Sequence, residues 1–254
     1  TDELGAEPLL ADFAPGADST GYVEVPAGDY RVRITPAGDR DTIAYDSGFV
    51  TLDSGPSFFL AALDRESGFS PASVIALLDD PAFVMLEDQR AQVRAMHLSP
   101  DAPNVDVLVD GATVLTDVAF GDVSPYLMVL AGDYEISVAA GGNEVDSITV
   151  NAEAGEAYSV LATGFANIAT GDTAFVLRPL VDDLVSGEDA KVRVIHASPD
   201  APAVDVLVNG EIFANLEAVP YYTASGYVDV PAGNYDILVN VTGTATTVID
   251  LSDT

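Results

Sequence analysis

Hydrophobic and polar residues alternate along most of this chain in short runs, separated by clusters of Gly, Pro, Asp and Asn. In one such run Val93 and Ala95 alternate with Arg94 and Met96, which is the period-two pattern of a half-buried β-strand. The sequence shows no amphipathic helix of useful length. We therefore expect an all-β chain.

One segment of the sequence occurs twice. The copies read His97-Leu98-Ser99-Pro100-Asp101-Ala102-Pro103 and His196-Ala197-Ser198-Pro199-Asp200-Ala201-Pro202, an offset of 99 residues. The prolines fix φ and remove backbone donors, and the Ser and Asp side chains can hydrogen-bond nearby backbone in a turn. Each copy is therefore predicted to form a strand, a rigid turn and a second strand. Antiparallel pairing about this turn would bring Arg94 near Asp106 and Arg193 near Asp205.

A second signature occurs three times, as a turn of small residues ahead of a strand. Its copies are Pro26-Ala27-Gly28-Asp29-Tyr30, Leu130-Ala131-Gly132-Asp133-Tyr134 and Pro231-Ala232-Gly233-Asn234-Tyr235. An alternating strand precedes each copy, so we predict a hairpin turned by Ala-Gly-Asp or Ala-Gly-Asn. The Tyr that ends each copy is expected to be a packed or hydrogen-bonded corner residue.

These signatures divide the chain into three repeats, which we call repeats 1, 2 and 3. Residues 90–186 form a complete repeat with seven or eight short strands over roughly 90 residues, which is typical of an immunoglobulin-like β-sandwich. Residues 1–89 form a partial repeat that lacks the first strand pair, and residues 187–254 form a partial repeat that lacks the last strands. The expected fold class is therefore all-β, a tandem of immunoglobulin-like antiparallel sandwiches whose first and last repeats are incomplete.

The partial repeats allow two interpretations, because an incomplete sandwich leaves strand edges unpaired. In the first, the chain is a portion of a longer tandem array, and the missing strands lie outside this sequence. In the second, copies of the chain complete one another head to tail by donated strands, as a homopolymer.

The net charge of the chain indicates the kind of environment in which the protein works. The chain has 41 Asp and Glu against 9 Lys and Arg, a net charge of −32, yet 48% of its residues are hydrophobic. An acidic surface on a well-made core resembles proteins of extreme halophiles, because molar salt screens the repulsion between carboxylates. Such a surface disfavours nucleic acid and anionic membranes as partners.

The cysteine content, the length of apolar runs and one sequon limit the possible localisation and modification of the protein. Cysteine is absent, and no run approaches the ~18 apolar residues of a membrane span. We therefore expect no disulfide, no thiol chemistry and no membrane insertion. Thr1 is expected to be a processed or cut end. Asn240 lies in the sequon Asn240-Val241-Thr242 and is a candidate glycosylation site if the protein is exported.

The His-x-Ser-Pro-Asp-Ala-Pro element followed by Val-Asp-Val, the Ala-Gly-Asp/Asn-Tyr turn and the Tyr158-to-Gly164 strand together resemble the domain of unknown function family 4397. The resemblance covers nearly the whole chain. It implies an exported, immunoglobulin-like β domain found in tandem on prokaryotic cell surfaces, including those of haloarchaea. It implies no known catalytic residues. Repeat 1 departs from the family pattern because it lacks the signature strand pair.

The candidate chemistry is limited. His97 and His196 are the only histidines, and each is followed by a Ser and an Asp, so a metal, acid-base or hydrolase role can be imagined. The simpler expectation is that each histidine hydrogen-bonds to the backbone of its own turn. Acidic pairs at Asp39/Asp41, Asp79/Asp80 and Asp182/Asp183 lack the spacing of a calcium loop and are expected to be solvated surface acids. The absence of Trp disfavours a carbohydrate site built on stacking.

The sequence therefore predicts a non-enzymatic structural protein without cofactors, located outside the cell or on its surface. We expect it to be the subunit of a surface filament or cell-surface layer whose main partner is itself. The alternative is an adhesion module that binds surface glycans or a partner protein through the sandwich loops.

Overall fold

The computed structural model describes residues 9–11, 21–55, 57–64, 70, 72–77, 83–185 and 187–252. Within these ranges the chain contains strands, turns and irregular segments and no helix, so the predicted all-β class is confirmed. No helix long and apolar enough to cross a lipid bilayer occurs among them. The fold has two compact units, the first made of the residues up to Gln92 with Met128–Gly132 and Ala152–Ala157, the second of the rest.

The described part of repeat 1 contains two antiparallel sheets. One is the pair β1 (Gly28–Ile34) and β2 (Tyr45–Leu52). The other has the order β3-β4-β5 and consists of β3 (Phe59–Asp64), β4 (Ala72–Leu77) and β5 (Phe83–Leu86). Tyr45 is fully buried, and its hydroxyl donates a hydrogen bond to the Leu86 carbonyl at 2.6 Å.

Repeat 2 contains two four-stranded sheets. Its strands are β6 (Arg90–His97), β7 (Val105–Val109), β8 (Ala112–Val118), β9 (Leu127–Leu130), β10 (Gly132–Ala140), β11 (Asn143–Ala152), β12 (Ala157–Thr163) and β13 (Val176–Asp182). One sheet has the order β11-β10-β7-β8 and the other β13-β12-β6-β9. Every residue of β12 is buried, and this strand lies between β13 and β6 in its sheet.

Repeat 3 reproduces one of these sheets in full. Its strands are β14 (Ala190–Val192), β15 (Val204–Val208), β16 (Glu211–Ile212), β17 (Val228–Val230), β18 (Ile237–Val241) and β19 (Thr247–Asp250). The order β16-β15-β18-β19 corresponds to β8-β7-β10-β11, whereas the second sheet contains, among the described residues, β14 and β17, the counterparts of β6 and β9. Val204, Val206, Leu216 and Val219 form a small buried core.

The predicted Ala-Gly hairpin is wrong. The strand before the turn and the strand after it lie in different sheets, with β9 beside β6 and β10 beside β7, and likewise with β17 beside β14 and β18 beside β15. The turn is therefore a corner between sheets, and alternation alone does not distinguish a corner from a hairpin. The tyrosines of the first and third copies behave as corner residues, since Tyr30 donates to the Pro26 carbonyl at 2.6 Å and Tyr235 to the Pro231 carbonyl at 2.8 Å.

Candidate functional site

The histidine of each signature holds its own turn. His97 is 1% exposed, and its Nδ1 accepts the Ser99 N–H at 3.3 Å. Its Nε2 therefore carries the proton and donates to the Pro103 carbonyl at 3.1 Å. The imidazole also meets Phe120 edge to face at a centroid distance of 6.4 Å. Both ring nitrogens are thus engaged by backbone, and neither is directed at a substrate or metal.

His196 repeats this arrangement in repeat 3. Its Nε2 lies 3.1 Å from the Pro202 carbonyl, and its ring meets Tyr221 edge to face at 6.3 Å. The two turns therefore share the contact of the imidazole Nε2 with a proline carbonyl and an edge-to-face aromatic neighbour.

The rest of the signature in repeat 2 binds β12 and the loop that follows it. The Leu98 N–H donates to the Ala162 carbonyl at 2.8 Å, and the Ser99 hydroxyl donates to the Gly164 carbonyl at 2.6 Å. The Asp101 carboxylate accepts the N–H groups of Ala166 at 2.7 Å and Asn167 at 3.2 Å. We call these three groups the clasp. Pro100 and Pro103 shape the turn that presents them.

In the clasp, the side chains of Ser99 and Asp101 are not arranged as a Ser-His-Asp relay. The hydroxyl of Ser99 is directed to a carbonyl, and the carboxylate of Asp101 to two backbone N–H groups, so neither side chain contacts the imidazole in the order that proton relay requires. Gly164 is needed at this point because its φ is +86° and an added Cβ would lie 2.1 Å from the Ala174 carbonyl oxygen.

The predicted pairs Arg94–Asp106 and Arg193–Asp205 do not form. Asp106 accepts the Asp117 N–H, and Asp205 accepts from the Ala218 N–H and the Thr242 hydroxyl. The reason is topological: β6 and β7 belong to different sheets, so the turn carries the chain from one sheet to the other instead of pairing the two strands. The hydrogen bond from the Ala218 N–H keeps the pKa of Asp205 below its usual value, although burial opposes this shift.

Both arginines instead meet at Asp182, the last residue of β13. This carboxylate is 5% exposed, and its two oxygens serve different repeats. Oδ2 accepts from the Tyr126 hydroxyl at 2.7 Å and from the Ser159 hydroxyl, with Arg94 Nη2 at 3.5 Å. Oδ1 accepts from Arg193 Nη1 and from the Tyr227 hydroxyl, both at 3.1 Å.

The groups around Asp182 are arranged as two matching halves. The Arg94 guanidinium lies over the Tyr126 ring at 4.6 Å, and the Arg193 guanidinium lies over the Tyr227 ring at 4.1 Å. Burial, followed by the hydrogen bond to Asp182, raises the pKa of Tyr126. A buried carboxylate shared between two arginines joins repeats 2 and 3, and we call this cluster the Asp182 joint.

The Asp182 joint was not predicted from the sequence. The signal was present, because Arg94 and Arg193 occupy the same position in two copies of one signature, as do Tyr126 and Tyr227 ahead of the corner turns. Asp182 was considered only as a surface acid, and its role depends on the placement of β13, which sequence periodicity does not give.

Comparison with known protein families gives two matches, which correspond to repeats 2 and 3. The sequence matches the family described as "Domain of unknown function (DUF4397)" over residues 91–188 and again over residues 190–254. The chain belongs to this family. No curated protein matches the chain. The two matched stretches contain the two copies of the His-x-Ser-Pro-Asp-Ala-Pro signature, and the Asp182 joint therefore connects two consecutive DUF4397 domains.

The two DUF4397 domains differ in what lies beside the signature strand. In repeat 2, β6 has β12 on one edge and β9 on the other. In repeat 3, β14 has β17 on one edge and, among the described residues, no strand on the other. Ser198 donates to Asp200 at 3.0 Å in an exposed turn, whereas the corresponding Ser99 is fully buried against Gly164. The clasp groups of repeat 3 thus surround an edge without a neighbouring strand.

The remaining acidic candidates have local roles. Asp39 accepts the Asp41 and Thr42 N–H groups at 3.1 Å. The side-chain hydrogen bond of Thr42, followed by the backbone N–H groups of Thr42 and Asp41, lowers the pKa of Asp39. Asp183 pairs with Lys191. Asp79 and Asp80 lie outside the described residues. Among those that are described, no group of three or more His, Asp or Glu side chains is arranged to hold a metal ion.

Asn240 lies within β18 and faces Asp205 in the register of the neighbouring strand. Its Oδ1 is buried without a hydrogen-bond partner, and the sequon hydroxyl of Thr242 donates to Asp205 at 2.9 Å. Glycosylation of Asn240 stays a prediction, and its side chain would have to reach solvent from a paired strand.

The first unit contains a separate buried ion cluster that sequence analysis missed. Asp46 is fully buried. Arg31 binds it in a bidentate manner, with Nε at 2.7 Å and Nη2 at 2.5 Å, and Arg33 Nε lies at 3.0 Å. Burial alone would raise the pKa of Asp46, but hydrogen bonds from Arg31, the Gly48 N–H and Arg33 outweigh it and hold this pKa below its usual value.

Proposed function

We propose that this DUF4397 chain is a non-enzymatic structural protein of the cell surface that assembles head to tail through β-strand pairing between copies. The observation that carries the proposal is the edge of β14. Its counterpart β6 is paired on both sides, whereas β14 is paired on one side within the described residues. Exposed strand edges are templates for pairing with another chain.

The engagement of the polar residues supports a structural role. His97, Ser99 and Asp101 hold backbone groups, and Asp182 is shared by two arginines and two tyrosines. These side chains stabilise turns and the connection between repeats, which is what a chain under tension in a filament or layer requires. We accordingly propose that no catalytic step depends on them.

The charge supports an extracellular, high-salt setting. A net charge of −32 over 254 residues gives long-range repulsion that a Debye length of about 3 Å at 1 M salt removes. Copies of the chain can then approach each other closely enough to pair. We propose a haloarchaeal cell surface as the environment.

Electron microscopy of the purified chain in molar salt tests this proposal. Regular filaments or sheets are expected, with a repeat built from the 26.3 kDa chain. Discrete monomeric particles at every salt concentration would contradict it and would favour the alternative, a surface adhesion module that binds glycan or protein through its loops.

A further inference from the structure

The open edge of β14 has a specific counterpart elsewhere in the chain. In repeat 2 the strand beside the signature is β12, and β12 is itself paired with β13. Gly55 and Phe58 align with Gly155 and Tyr158 at an offset of 100 residues, which makes β3 the repeat 1 equivalent of β12. β4, which pairs with β3 in the antiparallel sense, then corresponds to β13.

β3 is also an edge strand. Its sheet has the order β3-β4-β5, so the side of β3 that corresponds to the β6-facing side of β12 has no neighbouring strand in the described part of repeat 1. Phe59, Leu60 and Leu63 are 51%, 48% and 45% exposed, whereas every residue of β12 is buried. An exposed apolar edge strand of this kind is normally covered in a stable assembly.

The two open edges are complementary. The sheet order in repeat 2 is β13-β12-β6-β9, repeat 1 has β4-β3 with β3 at the edge, and repeat 3 has β14-β17 with β14 at the edge. Placing β3 beside β14 gives the order β4-β3-β14-β17, which reproduces the complete sheet. We infer that β3 of one copy of this chain pairs with the signature strand of repeat 3 in a second copy, at the residues that continue β14 through the isolated bridge at Ile195. This inference rests on the proposed head-to-tail assembly and names the two strands that form its interface.

The structure of repeat 2 also gives the direction and register of the pairing. The Leu98 N–H donates to the Ala162 carbonyl, and the next residue, Ser99, reaches Gly164. The two strands therefore run parallel, and Met96 lies opposite Leu161. The same relationship in the assembly places Ile195 of one copy opposite Ala61 of the next, so that β3 lies alongside residues 193–198, the continuation of β14.

The backbone around Ile195 is oriented for this role. The Val194 carbonyl accepts the Ser225 N–H at 2.8 Å, and the His196 N–H donates to the Thr223 carbonyl at 2.9 Å, while Ile195 forms an isolated antiparallel bridge with Ala224. Because backbone groups alternate in direction along a strand, the N–H and carbonyl of Ile195 point to the open edge. Beyond it, Ala197, Ser198 and Asp200 occupy the positions of the clasp.

One sequence difference limits the interface. Asp64 stands at the position of Gly164, whose φ of +86° favours glycine. The loop after β12 that the repeat 2 clasp binds therefore has no full equivalent after β3. The strand ladder, rather than the loop after it, carries the proposed contact.

Single-cysteine variants test the pairing directly, because the natural chain has no cysteine. Chains carrying only Ala61→Cys are mixed in molar salt with chains carrying only Ile195→Cys, and the mixture is oxidised. A matched control replaces the second partner by Val248→Cys, on the exposed edge strand β19 of repeat 3. Circular dichroism establishes that each variant keeps its β-sheet content, and sedimentation of each unoxidised mixture reports assembly.

We expect the Ala61→Cys and Ile195→Cys mixture to give a yield of disulfide-linked dimer at least tenfold above that of the mixture with the Val248→Cys control. Assembly without this dimer, or with equal dimer in the control, would overturn the strand assignment while leaving the proposed function in place. Mixtures of folded variants that stay monomeric, with wild type also monomeric, would overturn both.

Discussion

Arg193 Nη1 lies 3.1 Å from Asp182 Oδ1, so the signature strand of repeat 3 is tied to the last strand of repeat 2. The same carboxylate accepts from Tyr126 and Tyr227, one from each repeat. Consecutive DUF4397 domains in this chain are therefore coupled by a buried, shared charge and not only by the linker. Such a contact fixes the direction in which one domain follows the next.

Asp182→Asn should destabilise the second unit by about 3 kcal/mol, because it leaves two partly buried arginines without their carboxylate. Asp183→Asn is the matched control. It makes the same charge change one residue away, at a pair with Lys191 that is more open to solvent, and should change stability little. Denaturant unfolding in molar salt, followed by circular dichroism, measures both. Equal losses in the two variants would contradict a special role for Asp182.

His97→Ala should cost about 3 kcal/mol of stability, since it opens a cavity and leaves the Ser99 N–H and the Pro103 carbonyl without their partner. His196→Ala should cost less, because His196 is 7% exposed whereas His97 is 1% exposed. Thermal unfolding of the two variants in the same buffer gives the comparison. Wild-type stability of His97→Ala would show that the imidazole does not hold its turn.

Acid should weaken the first unit through Asp46. Its folded pKa is below the value of about 4 that an unfolded aspartate has. The ion cluster with Arg31 and Arg33 therefore stabilises the fold fully above about pH 4, and this contribution is lost as the pH falls through the folded pKa.

Asp46→Asn should accordingly lose about 3 kcal/mol at neutral pH and show a smaller further loss on acidification than wild type does. Asp53→Asn, at an exposed position of the same unit, is the control for removing one negative charge. Urea unfolding at a series of pH values measures the difference. Parallel pH profiles for wild type and Asp46→Asn would rule out this carboxylate as the acid-sensitive group.

Salt should stabilise the whole protein. With 41 acidic and 9 basic side chains, the carboxylates of the folded state repel one another. Salt screens this repulsion beyond a Debye length of about 10 Å at 0.1 M and about 3 Å at 1 M. The unfolding midpoint should rise steadily from low to molar potassium chloride. A midpoint that does not depend on salt would show that the acidic side chains are too far apart to interact.

The sequence predicted the strands well and their pairing less well. Alternation marked β6, the repeated signatures marked β7 and β10, and the internal repeat correctly indicated β-sandwich domains of one family. The hairpin at Ala131-Gly132 and the pair Arg94–Asp106 were wrong for one reason: both assumed that strands adjacent in sequence pair with each other. In this fold the chain passes to the opposite sheet at both turns.

The candidate site shows the same limit. The motif residues were identified correctly as a repeated unit, but what they bind depends on β12 and its loop, about 65 residues further along the chain. The expectation that Asp182 is a solvated surface acid was wrong, since it is 5% exposed, and Asp46 was overlooked. Burial of a carboxylate is a property of the packed structure, and in a chain with so many acidic residues no single one stands out in the sequence.

Sedimentation velocity of wild type and Ile195→Pro in molar salt is the most direct measure of whether copies assemble through the signature strand of repeat 3, at the continuation of β14. Proline removes the N–H at the open edge without removing a hydrogen bond to the opposing segment around Ala224, and edge strands tolerate it. Wild type should sediment as assemblies that grow with protein concentration, whereas a folded Ile195→Pro variant should remain at the 26.3 kDa monomer. Equal assembly of the two chains, or a wild type that stays monomeric throughout, would contradict the account.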